Sequence, residues 1–134
     1  MAHTYLYILQ EFGDRVVEGD FETASSSHEF PVQIVRSEGI QILHTKAELA
    51  ADLASFWPAY RQAGIRAVRP RILYTISHEA RVALVDVEWS LFTDRGGLFC
   101  TLYTTYGFVN RSVGPRIVSV FSHNEGLERP VATV

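Results

Sequence analysis

The chain has 134 residues, the size of one domain, and no Gly/Ser/Pro-rich linker divides it. Hydrophobic residues make up 47% and charged residues 20%, a globular composition that excludes a disordered chain. The formal net charge is −3, with acids and bases interspersed; without a Lys/Arg run to track phosphates, nucleic acid is not an expected partner.

A domain of this length buries roughly two-thirds of the surface its unfolded chain exposes, so it supports one sizeable core. The single cysteine, Cys100, rules out an intramolecular disulfide and fits a reducing compartment. The start, Met1-Ala2-His3-Thr4-Tyr5, lacks the basic and apolar regions of a signal peptide. The apolar runs are too short to span a bilayer, so no membrane partner is expected and the cytoplasm is the expected location.

Tyr5, Ile8, Leu9, Phe12 and Val16 share one stripe at helical spacing, which predicts an amphipathic helix over about residues 4–18. Gly19 follows as a C-terminal cap, and Asp20 reads as the N-cap of a short helix reaching about Ser26. Phe30-Pro31 ends it. Val32 to Val35 and Ile40 to Leu43 then predict a hairpin around Ser37-Glu38-Gly39. Thr45-Lys46-Ala47-Glu48 is a capping box, and Leu49, Leu53, Phe56 and Tyr60 give the next helix an apolar face. Pro58 removes an amide donor inside that pattern, which predicts a kink or restart, and Gly64 ends the helix.

The second half reads as strand. Ala67–Ser77, Arg81–Phe92, Leu98–Asn110 and Arg116–His123 are rich in Val, Ile, Thr, Tyr and Phe and are separated by turn clusters. Short loops between successive strands require antiparallel hairpins. The predicted class is therefore α+β: N-terminal helices on a curled, mostly antiparallel sheet of about six strands. Residues 1–125 form the domain, and 126–134, with Gly126 and Pro130, a loosely ordered tail.

Charge sets the predicted register. A turn centred on His78-Glu79 puts Arg71 opposite Asp86 and Arg69 opposite Glu88, with Leu73 facing Leu84. The other face then pairs Ile72 with Val85, Tyr74 with Ala83 and Val68 with Trp89, and its apolar character puts it under the helices. Turns near Arg95-Gly96 and Ser112-Val113 extend this inner face to Cys100, Leu102, Thr104 and Tyr106, then to Ile117, Ser119, Phe121 and His123. A one-residue slip in any turn would invert the later strands.

Several local motifs point further. An amphipathic first helix ends in Gly19-Asp20-Phe21, Phe30-Pro31-Val32 opens a strand, and Thr45-Lys46-Ala47-Glu48-Leu49 opens a long helix. The last hairpin runs from Tyr103-Thr104-Thr105-Tyr106 to Gly114-Pro115-Arg116-Ile117-Val118. In order and spacing, over about residues 4–125, these motifs resemble the nuclear transport factor 2-like superfamily, especially its SnoaL-like and ketosteroid-isomerase-like members. The resemblance implies a cone whose concave face, closed by helices, surrounds a pocket, and a homodimer through the sheet's outer face. The superfamily holds isomerases, cyclases and non-enzymatic domains, so it licenses no one reaction. The tryptophan of the usual glycine-x-tryptophan turn is missing, with Pro115 near its place. Where the isomerases carry a proton-moving aspartate, the alternative alignments put Phe30 or Arg36, and neither is a base.

Candidate chemistry follows from these faces. Asp86 and Glu88 are expected outside, paired with arginines. His123, on the inner face, and His28, before the first strand, are the candidate general bases. Tyr60, Tyr74, Trp89, Tyr106 and Ser119 are the candidate ligand contacts; Tyr74 or Tyr106 would donate to a carbonyl or hydroxyl of a planar or sterol-like molecule. The five histidines show no metal-ligand spacing, and no metal or cofactor is expected. Cys100 reads as an inert packing thiol. Three functions stand open: a module binding a small hydrophobic molecule, a SnoaL-like isomerase or cyclase using Tyr and His, and a dimerisation or interaction domain with a filled core.

Overall fold

The computed structural model describes residues 2–123. The tail expected at 126–134 lies outside the described residues. Helix α1 spans Ala2–Glu18, α2 Phe21–Ala24, and a 3-10 turn Ser25–Ser27 leads into β1, His28–Arg36. Strand β2 is Gly39–Leu43, α3 Lys46–Gln62, β3 Ile65–His78, β4 Val82–Thr93, β5 Leu98–Arg111 and β6 Gly114–Ser122. The six strands form one curled sheet in the order β2-β1-β6-β5-β4-β3, antiparallel except where β1 runs parallel to β6. This is the α+β cone expected from the sequence, with the helices on the concave face.

The helix ends follow their local chemistry. Gly19 takes φ +80°, and Gly19 N donates to Val16 O at 3.0 Å while Asp20 N donates to Arg15 O at 2.9 Å, a Schellman closure of α1. Asp20 Oδ1 accepts from Thr23 N at 3.2 Å and starts α2. At α3, Thr45 Oγ1 accepts from Glu48 N at 3.1 Å, and Glu48 reaches back to His44 N at 2.7 Å, one residue beyond the usual box. The restart expected at Pro58 does not occur: α3 runs unbroken through it. Pro58 and Ala54, whose carbonyl loses its donor, both lie on the exposed face, where water can replace the missing bond.

The register differs from the predicted one. Arg71 pairs with Glu88 and Arg69 with Ser90, not with Asp86 and Glu88. The turn is three residues long, Glu79–Arg81, with Glu79 and Ala80 at φ 51° and 57°. Leu73 is an extra residue on β3, between the pairs Ile72–Val87 and Tyr74–Asp86. Before this bulge the shift is two residues, so the faces stay as predicted. After it the parity inverts, and Tyr74 turns to the outer face, 61% exposed.

The β4–β5 register agrees with the prediction: Leu91, Trp89, Val87 and Val85 pair with Cys100, Leu102, Thr104 and Tyr106 on the inner face. A second bulge, at Val118, separates Phe108–Ile117 from Gly107–Ser119. It leaves Ile117 inside, brings Val120 and Ser122 inward, and sends Ser119, Phe121 and His123 outward, correcting the predicted inner positions of those three.

Tyr5 and Leu9 of α1 are fully buried against the sheet, and Gly13 sets how near the helix comes. A Cβ there would lie 2.7 Å from Val68 Cγ2 and 2.8 Å from Trp89 Cζ3. A Gly13→Ala substitution should destabilise the fold by about 1–3 kcal/mol through overpacking, more than the helix propensity it gains. Urea denaturation of both proteins checks this.

Candidate functional site

Between the helices and the concave face lies a cavity of about 160 Å³ with largely apolar walls. Phe12, Gly13 and Val16 of α1 line one side, and Leu53, Phe56 and Trp57 of α3 another. Trp89, Leu102, Thr104 and Tyr106 form the floor. The sheet's two-residue period brings these side chains together: they are the alternating inward positions of β4 and β5.

Of the expected ligand contacts, Tyr60, Trp89 and Tyr106 line the cavity. Trp89 Nε1 donates to the Tyr106 hydroxyl at 2.9 Å, a buried bond that orients both rings. Trp57 stacks on Tyr60 with ring centroids 5.8 Å apart. Tyr74 and Ser119 are not in the cavity, because the bulges at Leu73 and Val118 turn them outward. Cys100 is half-buried on the inner face, and burial raises its pKa, which disfavours the reactive thiolate.

The two candidate bases part company. His123 is exposed on the outer face, its Nε2 2.8 Å from Thr105 Oγ1. That hydroxyl gives its one hydrogen to Asp86 Oδ1 at 2.6 Å, so His123 Nε2 must be the donor to it. His28, the first residue of β1, is buried and lines the cavity, with its ring 5.4 Å from Phe12. Burial lowers its pKa to about 3, partly offset by a hydrogen bond to the Ser25 backbone. It is a neutral imidazole at physiological pH and a weak base. On the outer face, Asp86 and Glu88 stay outside as expected, Glu88 accepting from Arg71 Nε and the Tyr103 hydroxyl, each at 3.1 Å.

One feature of the cavity escapes a reading of the sequence. Arg36, at the end of β1, and Asp52, on α3, both line it and form an ion pair at 3.4 Å, each side chain more than 80% buried. The sequence marks Arg36 only as a residue standing where the isomerases carry aspartate. Asp52 carries a readable signal: it lies three residues after Leu49 and four before Phe56, inside the apolar stripe of α3.

Residues 3–125 match the family described as NTF2-like protein (DUF6841). The chain belongs to this NTF2-like family. No curated protein matches it. Among solved structures, this NTF2-like chain is similar to an NTF-2 like protein of unknown function from Shewanella oneidensis. That pair is 13% identical with a TM-score of 0.72, covering 92% of this chain and 98% of the other. Aln2 from a Streptomyces species is 12% identical with a TM-score of 0.71, over 97% of this chain and 94% of its own. An NTF2-like protein with a cystatin-like fold from Novosphingobium aromaticivorans is 14% identical with a TM-score of 0.68, over 99% and 89%. At these identities the likeness establishes the shared fold. Among the described residues no helix is long and apolar enough to cross a membrane, and no cluster of metal-ligating side chains is found.

The burial of His28 predicts an acid-sensitive fold for the NTF2-like domain. Its folded pKa, about 3, lies below the ordinary 6.5, so between these values the unfolded chain binds a proton that the folded chain does not. The stability from keeping His28 neutral is full above pH 6.5 and is lost as pH falls toward 3. On going from pH 7 to pH 5, the wild type should lose about 2 kcal/mol more than a His28→Phe variant, read from urea denaturation at both pH values.

Proposed function

We propose that this NTF2-like domain is a binding module whose cavity takes a small, largely hydrophobic molecule. The observation that carries this reading is an open, apolar-walled space of about 160 Å³ where a filled core would stand in a pure interaction domain. An apolar cavity of about 150 Å³ is large enough for benzene, so the occupant is on the scale of one planar ring rather than a sterol. Tyr60, Trp89 and Tyr106 are the proposed contacts. No cofactor enters this reading. The single cysteine favours the cytoplasm as the location.

The isomerase or cyclase alternative has less support. His123 sits outside, His28 is too weak a base near neutral pH, and the Asp52 carboxylate is held by Arg36. A thermal-shift titration should show p-xylene raising the melting temperature of the wild type and not of a Val120→Phe variant, in which the new ring occupies the cavity. A ketosteroid isomerisation assay should show no turnover above background. Turnover that disappears in His28→Ala would move the case to the enzyme.

A second reading concerns assembly. The outer face exposes Leu73, Tyr74, Ile76, Leu84, Phe99 and Tyr103, more apolar surface than a solvated sheet ordinarily leaves open. We propose that two copies pair through this face around a two-fold axis. Light scattering should report twice the 15.1 kDa chain mass at tens of micromolar, and Leu84→Glu should return the protein to a monomer.

A further inference from the structure

Four polar residues of the cavity wall meet one another in pairs. Trp89 donates its indole hydrogen to Tyr106, and Arg36 and Asp52 neutralise each other. His28 is different. Ser27 Oγ donates to Ala24 O at 3.0 Å, and a hydroxyl has one hydrogen to give. The 3.1 Å contact between Ser27 Oγ and His28 Nδ1 therefore runs the other way, with Nδ1 carrying the hydrogen and the serine accepting it. An imidazole that is neutral and protonated at Nδ1 has a bare lone pair at Nε2. Among the described residues no hydrogen bond is found at Nε2, and the Ser25 backbone, the ring's other polar neighbour, accepts like Ser27 Oγ and offers the lone pair no hydrogen, while His28 itself lines the cavity. The wall thus presents an acceptor with no protein donor.

We infer that the cavity selects a neutral, single-ring molecule whose hydroxyl donates its hydrogen to His28 Nε2: a phenol, rather than a carboxylate or a bare hydrocarbon. This rests on the reading of the cavity as a binding site. A hydroxyl meets the lone pair directly, and a hydrocarbon leaves it unsatisfied. A carboxylate is disfavoured twice. It would meet a lone pair rather than a hydrogen at His28, and it would have to displace Asp52 from Arg36, leaving two like charges in a largely apolar space. The rings of Phe12, Phe56 and Trp89 around the cavity suit the faces and edges of an aromatic ring. Thr104, whose hydroxyl makes no hydrogen bond among the described residues, both donates and accepts, and so discriminates less between ligands.

The experiment uses three probes of nearly one shape, p-cresol, p-xylene and p-toluate, titrated calorimetrically into the wild type, His28→Phe and His28→Leu. The preference for p-cresol over p-xylene should fall about ten-fold in both variants, through weaker p-cresol binding, tighter p-xylene binding or both, and p-toluate should bind the wild type more weakly than p-cresol. Long-range proton–nitrogen NMR on the wild type should find His28 protonated at Nδ1, with its Nε2 resonance moving on addition of p-cresol and not of p-xylene. A hydrogen on Nε2 in the free protein, an unchanged preference in both variants, or tighter binding of p-toluate would each overturn the inference. If the probes bind while the preference persists in both variants, the hydroxyl assignment alone falls; if none of the three probes binds the wild type, the pocket reading falls with it.

Discussion

At Gly13 the first helix lies against Val68 and Trp89 with no room for a side-chain carbon. The rest of the concave side depends on that contact. Trp89, pressed by the helix from above and bonded to Tyr106 from the side, forms part of the floor of the cavity. A few residues further along α1, Val16 reaches the same space, and the long side chains of α3 close it opposite. The helix is thus near enough to seal a core with Tyr5 and Leu9 at its N-terminal half, while the space beside Gly13 stays unfilled.

What lines that space is electrically balanced. One guanidinium faces one carboxylate, and the histidine is kept neutral by burial. Desolvating an ion pair is costly even when the geometry is good, so Arg36 and Asp52 are weak evidence for stability. Their position, at the end of β1 and on the apolar stripe of α3, is more informative about what can enter. The wall they belong to is mostly apolar and balanced in charge, with His28 and Thr104 among its uncommitted polar groups.

The bulges at Leu73 and Val118 divide the sheet's chemistry between its faces. Without Leu73 as an extra residue, Tyr74 would point toward the helices; without Val118, Ser119 and His123 would do so. With them, Asp86, Thr105 and His123 form one hydrogen-bonded row on the outside, beside the row of Arg71, Glu88 and Tyr103. Polar rows among exposed leucines and aromatics give the outer face a surface on which register and partner can be specified.

Much of this was readable from the residues themselves. The stripe of Tyr5, Leu9 and Val16, the Thr45 cap, the Gly19 and Gly64 ends and the inward alternation of β4 and β5 are local or periodic, and the structure agrees with them. Trp89 and Tyr106 could be placed inside because a sheet period of two carries over a short, well-marked turn. Tyr74, Ser119 and His123 could not, since a bulge adds one residue without any change in composition, and one residue inverts every side chain after it. The pairing of Arg36 with Asp52 and the fit of Gly13 against Trp89 also lay beyond the sequence. These contacts join residues distant in the chain, and only the packing of helix on sheet decides which of them meet.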